Sequence, residues 1–357
     1  MLPRALDIWL PAYLRRTKRP PLPAAETEVL LCICDHFEPL HDTDKRGALD
    51  RLALWRERFP PIAQTFRARD GVGPRHTFFY PVEQYDPDLL DPLADICRAS
   101  GAEVEIHLHH DRDTAENLRS RIEAGKAGLS RHGLLARGAN GRPRYGFIHG
   151  NWALDDSHPD GRHCGVRGEL GILRETGCYA DFTMPSAPDR CQTKKINSLY
   201  YATASGAAKS HDTGLDAAVG SPPSGDLLMV QGPLGLNWRR RKAGLVPRIE
   251  NGDLTGANPP TPDRFAIWME LAAGVRGRPE WVFAKLHTHG AIPRNSSALL
   301  GEPMRRFHAW LQTRPERIHY VTARELANIL HAAEQGHSGD PSRFRDFILP
   351  PPEILAQ

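Results

Sequence analysis

Strong charge of either sign is missing from this chain. Its 46 Lys and Arg nearly cancel 43 Asp and Glu, leaving a formal +3 across 357 residues. That field is too weak to gather nucleic acid or an anionic membrane surface. Long apolar runs are missing as well. No stretch approaches the roughly 18 residues that a spanning helix needs, and the first residues are broken by Pro3, Arg4, Asp7 and Pro11, unlike a secretory leader. Only the short amphipathic stretch 8–14 suits a membrane surface or a partner. Cysteine is sparse: six residues and no Cys-x-x-Cys pair, which argues for reduced thiols rather than a disulfide framework. No internal repeat of 20–50 residues is visible. The expectation is a soluble, cytoplasmic protein with no transmembrane segment and no nucleic-acid partner.

With 40% hydrophobic residues the chain can bury a core, so global disorder is excluded. Short runs rich in β-branched and aromatic residues predict strands at 29–34 (VLLCIC), 76–80, 103–109 (EVEIHLH), 145–149 (YGFIH), 179–183, 227–231, 281–287 (WVFAKLH) and 318–322. Helical patterns at 49–69, 88–100, 114–129, 168–176, 262–273, 302–312 and 323–333 interleave with them, two carrying start signals at Asp113-Thr114 and Thr261-Pro262. Alternation of this kind predicts parallel strands joined by crossovers. The expected fold is α/β, a (β/α) barrel of seven or eight parallel strands. An N-terminal extension (1–27) precedes a barrel domain (28–334) with insertions at 153–167 and 185–226, the latter with a hairpin near 196–203. A tail (335–357) follows. The basic run at 239–242 reads as a solvated loop.

Histidine is the abundant residue, 17 in all. Seven (His36, His107, His109, His110, His149, His287 and His289) fall at or just past predicted strand ends, where parallel barrels build their sites. Asp35-His36 offers a carboxylate and an imidazole, as base plus ligand or as two ligands. His107 and His109 lie two apart and share a face, with Ile106 and Leu108 turned toward helices. Asp113, four residues beyond His109, serves either as a ligand or as a helix cap. His287-x-His289 supplies a general acid or two ligands.

The order of these motifs resembles the polysaccharide deacetylases, the NodB-homology carbohydrate esterases, which are metal-dependent hydrolases on a distorted (β/α) barrel. The resemblance rests on Asp35-His36 after the first strand, Glu105-Ile106-His107-Leu108-His109 and the strand ending in Leu286-His287. It implies one divalent ion, zinc as the first expectation, held by His36, His109 and Asp113, with His107 the substitute ligand. It implies Asp35 as the base and His287 as the acid, with His289 the competing assignment. Substrate-side residues would be His107, His149, Asn151, Trp152 and His289. The chain departs from the family's pattern: His stands for Asp at 36, Asp for His at 113, and the Arg-x-Pro loop is replaced by Phe147-Ile148-His149-Gly150-Asn151-Trp152. The implied activity is removal of N- or O-acetyl groups from a carbohydrate. The alternatives are another barrel metallohydrolase, acting on amides or phosphate esters through a binuclear site, and a non-catalytic carbohydrate binder.

Overall fold

The computed structural model describes residues 3–17 and 22–356. Residues 1–2 and 18–21 of the expected N-terminal extension, and residue 357 of the expected tail, lie outside the described residues. The strands are β1 (Glu28–His36), β2 (Thr77–Pro81), β3 (Glu103–Leu108), β4 (Tyr145–His149), β5 (Cys178–Asp181), β6 (Leu199–Ala202), β7 (Leu215–Asp216), β8 (Leu227–Val230), β9 (Gly235–Lys242), β10 (Val246–Glu250), β11 (Asp253–Leu254), β12 (Trp281–Thr288) and β13 (Arg317–Val321). The helices are α1 (Leu6–Arg15), α2 (Lys45–Thr65), α3 (Pro87–Ser100), α4 (Ala115–Arg131), α5 (Glu169–Thr176), α6 (Pro262–Leu271), α7 (Pro293–Leu299), α8 (Glu302–Leu311) and α9 (Ala323–Glu334).

Each of the eight expected strands is present, as β1–β5, β8, β12 and β13, and all pair in parallel. They belong to one 11-stranded sheet ordered β11-β12-β1-β2-β3-β4-β5-β8-β6-β7, with β13 off this path against β1. β1 is flanked by β12 along its length, while its other edge is shared: residues 28–32 meet β13 and residues 34–36 meet β2. The hydrogen-bonded path ends at β11 and β7 and does not close, so the architecture is a large, mostly parallel α/β sheet. The second insertion is not only a loop. It lays β6 antiparallel on β8 and β7 on β6, extending the sheet. The basic run at 239–242 is on β9, which forms a separate hairpin with β10.

Period-two alternation sorts the strand residues onto two faces. Val29, Leu31 and Ile33 of β1 pack outward with Trp55, Phe59 and Leu52 of α2, and Val104, Ile106 and Leu108 of β3 join the same cluster. Leu30, Cys32 and Cys34 face inward with Phe79, Ile148, Phe182, Phe283 and α9. Nearly every residue of α9 is buried, as befits a helix packed on all sides. It begins with a capping box of Thr322 and Glu325. Arg324 then pairs with Glu103 at 2.7 Å, and Thr322 Oγ1 donates to the same carboxylate at 2.9 Å. The base of the sheet, where the strands begin, is thereby sealed by a helix. The tail doubles back onto it, the carbonyl of Leu349 accepting from Arg324 and Asn328. At the other end, α1 buries Trp9 and Tyr13 against Leu271 and Leu234.

Candidate metal centre

The opposite end of the sheet carries the histidines. His36 ends β1 on the inward face, His107 is on β3 with His109 just past its end, and His287 is on β12 with His289 beyond it. The His36 ring lies 4.9 Å from that of His107 and 4.6 Å from that of His289. Glu38, two residues past His36, stands among them. One of its oxygens lies 3.3 Å from His107 Nε2, 3.8 Å from His109 Nε2 and 3.7 Å from His289 Nδ1. Two donor sets result, His36-Glu38-His289 and Glu38-His107-His109, each with its donor atoms within 4.8 Å of one another and both sharing Glu38.

Neighbouring groups aim these imidazoles. His107 Nδ1 donates to the Ile148 carbonyl at 3.1 Å, which leaves Nε2 for Glu38. His109 Nδ1 is held at 2.6 Å by Glu83, from the single 3₁₀ turn Val82–Gln84 after β2, which frees its Nε2. Such outer partners fix ring orientation and tautomer in metal centres. His36 Nδ1 is buried without a partner. Burial, reinforced by His289 and His107, pushes the His36 imidazole well below its ordinary value. Burial likewise lowers His107 against the pull of Glu38. For His109 the Glu83 contact outweighs burial and raises it. Burial alone would raise Glu38, but hydrogen bonds from His107 and His289 hold it well below the usual carboxylate range. The donor set fits a divalent cation: one ionised carboxylate among neutral or oriented imidazoles, with a buried nitrogen left over. His109, His289 and Glu38 are partly exposed, with 28%, 30% and 13% of their side chains open, so the group is accessible from solvent.

Several of the expected residues lie away from this group. Asp35 neighbours His36 in an extended strand and so points to the other face. It is buried, accepting from the Gly290 amide at 2.6 Å and 2.7 Å from His76 Nε2, beside Trp55. It does not line the cleft and ties the end of β1 to the turn that presents His289. Asp113 is not among the donor sets. Its Oδ1 accepts from the Thr114 amide and Asn117 Nδ2, while Thr114, not Asp113, is the N-cap of α4. His149 is wholly buried and belongs to a separate buried group with His110, Cys164 and Glu169. Asn151 is half-buried in the turn that follows.

Other expected residues lie at this end of the sheet. His107 and His289, named as substrate-side residues, stand in the donor sets themselves. Trp152 and His287 line one cleft of about 340 Å³ with Pro185, Ser186, Asp189 and Asn251. Trp152 holds a left-handed backbone, φ 57°, uncommon for a bulky residue and often seen at functional positions. Its ring is 6.4 Å from both His36 and His289. His287 Nδ1 is buried without a partner, and burial with Lys285 nearby holds the ring neutral. Residues without an assigned role in the sequence reading are Glu38, Glu83, His76 and Glu169. Glu38 had a signal, since i and i+2 share a face in extended chain; Glu83 and Glu169 had none. No protein-family model matches the chain, and no curated protein matches it.

Proposed function

We propose that this protein is a metal-dependent hydrolase whose centre is built on Glu38, His36, His107, His109 and His289, on a sheet curled toward the distorted barrel that the sequence resemblance implies. The observation that carries the reading is the placement of one carboxylate oxygen within 3.3–3.8 Å of three imidazole nitrogens at the open end of a parallel sheet. A divalent cation in such a set, zinc first by ligand type, supplies Lewis acidity toward a substrate oxygen and makes water nucleophilic near neutral pH. The substrate class is an acylated carbohydrate, supported by the motif order and by Trp152, whose ring can stack on a sugar face beside the donors.

In this reading the proton work passes from Asp35 to His287. Water adds to the acyl carbon, the C–N or C–O bond breaks, and the departing amine or alkoxide needs a proton. Neutral His287, on the wall of the cleft, takes the proton from water and hands it to the leaving group. Trp152 and the 185–189 segment orient the sugar. Asp35, through Gly290, keeps His289 at its post.

The test is acetate release from N- and O-acetylated sugar oligomers by zinc-reconstituted protein. His287→Asn should lower turnover by about 10²–10⁴ while leaving metal content intact. Wild-type protein that binds zinc and releases no acetate from any of them sinks the reading. One observation favours a second reading: Glu38 belongs to both donor sets, as a bridging carboxylate would in a two-ion site for amides or phosphate esters. Two ions lost together in Glu38→Gln, with turnover of phosphate esters, would select it.

A further inference from the structure

Behind the open centre lies a group of different character. His110, His149, Cys164 and Glu169 are all buried, and their donor atoms lie within 4.8 Å of one another. We propose that they form a second, closed metal site for a zinc-class divalent ion, which pins the 153–167 insertion beneath the cleft. The inference stands independently of the hydrolase reading.

The spacing is the first support. Ligand bonds of about 2.0–2.3 Å in a tetrahedron put donor atoms roughly 3.3–3.8 Å apart. His110 Nε2 is 3.2 Å from one Glu169 oxygen, and Cys164 Sγ is 3.5 Å from the other. The second support is the unmet demand. His149 Nε2 is buried with no partner, a costly state that a cation would relieve. His110 Nδ1 and Asp113 Oδ2 lie 3.4 Å apart, each buried and without a hydrogen bond.

The sulfur is prepared in the same way. Backbone amides of Asp156 and Val166 point at Cys164 Sγ from 3.3 and 3.4 Å, donors suited to a thiolate. Sγ also lies 3.5 Å from the Glu169 carboxylate, so a cation between them would meet two anionic donors, since a coordinating thiol is deprotonated outright. Four protein donors with no opening to solvent make a structural site, in contrast to the open centre. The loop it would fasten needs fastening. Asp155, Asp156 and His163 all hold left-handed backbone, at φ 56°, 55° and 70°, a conformation costly outside glycine.

Cobalt(II) chloride added to chelator-stripped full-length protein tests this. A thiolate-to-cobalt charge-transfer band in the near ultraviolet requires a cysteine ligand, which the open centre lacks. The band should appear in wild type and in Glu38→Gln, and vanish in Cys164→Ser. Glu169→Gln, which keeps the thiol, should retain the band but demand at least tenfold more cobalt to reach it, so the proposal stays testable if the serine variant fails to fold. Stripping metal should also speed proteolysis within 153–167. A wild type without the band, or a band that survives Cys164→Ser, overturns the site and leaves a hydrogen-bonded network only. Loss of acetate release with the band intact would bear on the hydrolase reading alone.

Discussion

The same strands end in two different ways. At the base, buried ionisable groups find one another: Arg324 with Glu103, Glu28 with His319, His319 with Asp70, and Asp70 with Arg345, at 2.7, 2.8, 3.2 and 2.7 Å. Both nitrogens of His319 are bonded. At the mouth, His36, His149 and His287 each keep a buried nitrogen with no partner. Protein interiors rarely leave such atoms idle. The contrast teaches that burying histidine does not itself mark a site. At the base it is one link in a neutralised network; at the mouth its lone pairs are left for something else.

The sharpest way to break the comparison is to unpair the base. Arg324→Met leaves Glu103 buried without its cation and should cost about 3–5 kcal/mol of stability, read by urea denaturation. Glu103→Leu added to it should recover most of the loss. If the single variant is as stable as wild type, the base network is not structural. At the mouth, Glu38→Gln should leave the urea midpoint nearly unchanged while cutting turnover at least about a hundredfold and emptying the open centre, as elemental analysis would record. A milder version is Glu83→Gln, which loosens only the orientation of His109. It should weaken metal affinity by about 10–100-fold, seen by competition with a chelator; unchanged affinity would remove Glu83 from the centre.

The smallest effect separates the two ends by pH. Burial would lower His319, but the hydrogen bonds it donates to Asp70 and Glu28 raise it above its ordinary 6.5. The folded protein then keeps this proton where the unfolded chain has lost it. Its stabilising contribution is whole below pH 6.5 and falls away as pH rises through the raised folded value. His319→Gln should flatten that descent in melting temperature above pH 6.5. An identical slope in both proteins would show that the network does not hold the proton.

Strands and their inward or outward facing were legible because period-two patterning is local. Ile106 and Leu108 do pack outward while His107 faces in. The same rule, applied across Asp35-His36, would have placed the two on opposite faces; reading the pair as one unit just past the strand hid that. The start of α4 was visible to within one residue, the cap being Thr114 rather than Asp113. What the sequence could not show were meetings across long separations: Glu83 with His109, 26 residues apart, and His110 with Glu169, 59 apart. The β6–β7 extension was half visible, as a hairpin whose partner strand lay beyond the local pattern. Sheet closure is set by twist and edge geometry, for which strand count alone carries little information.

The placement of β1 has a consequence for how the molecule is made. The first strand of the chain is a central one, and its partners β12 and β13 are among the last to be synthesised; Glu28 pairs with Trp281 and Arg317. Until β12 has emerged at residue 288, the apolar run 29–34 has only β2 beside its far end, and α9, which covers its inner face, comes later still. Contacts this distant in sequence slow folding and prolong exposure of sticky edges. During synthesis, then, residues 28–33 are held unpaired the longest, and truncations that remove even the last helix should yield aggregate rather than a smaller working protein.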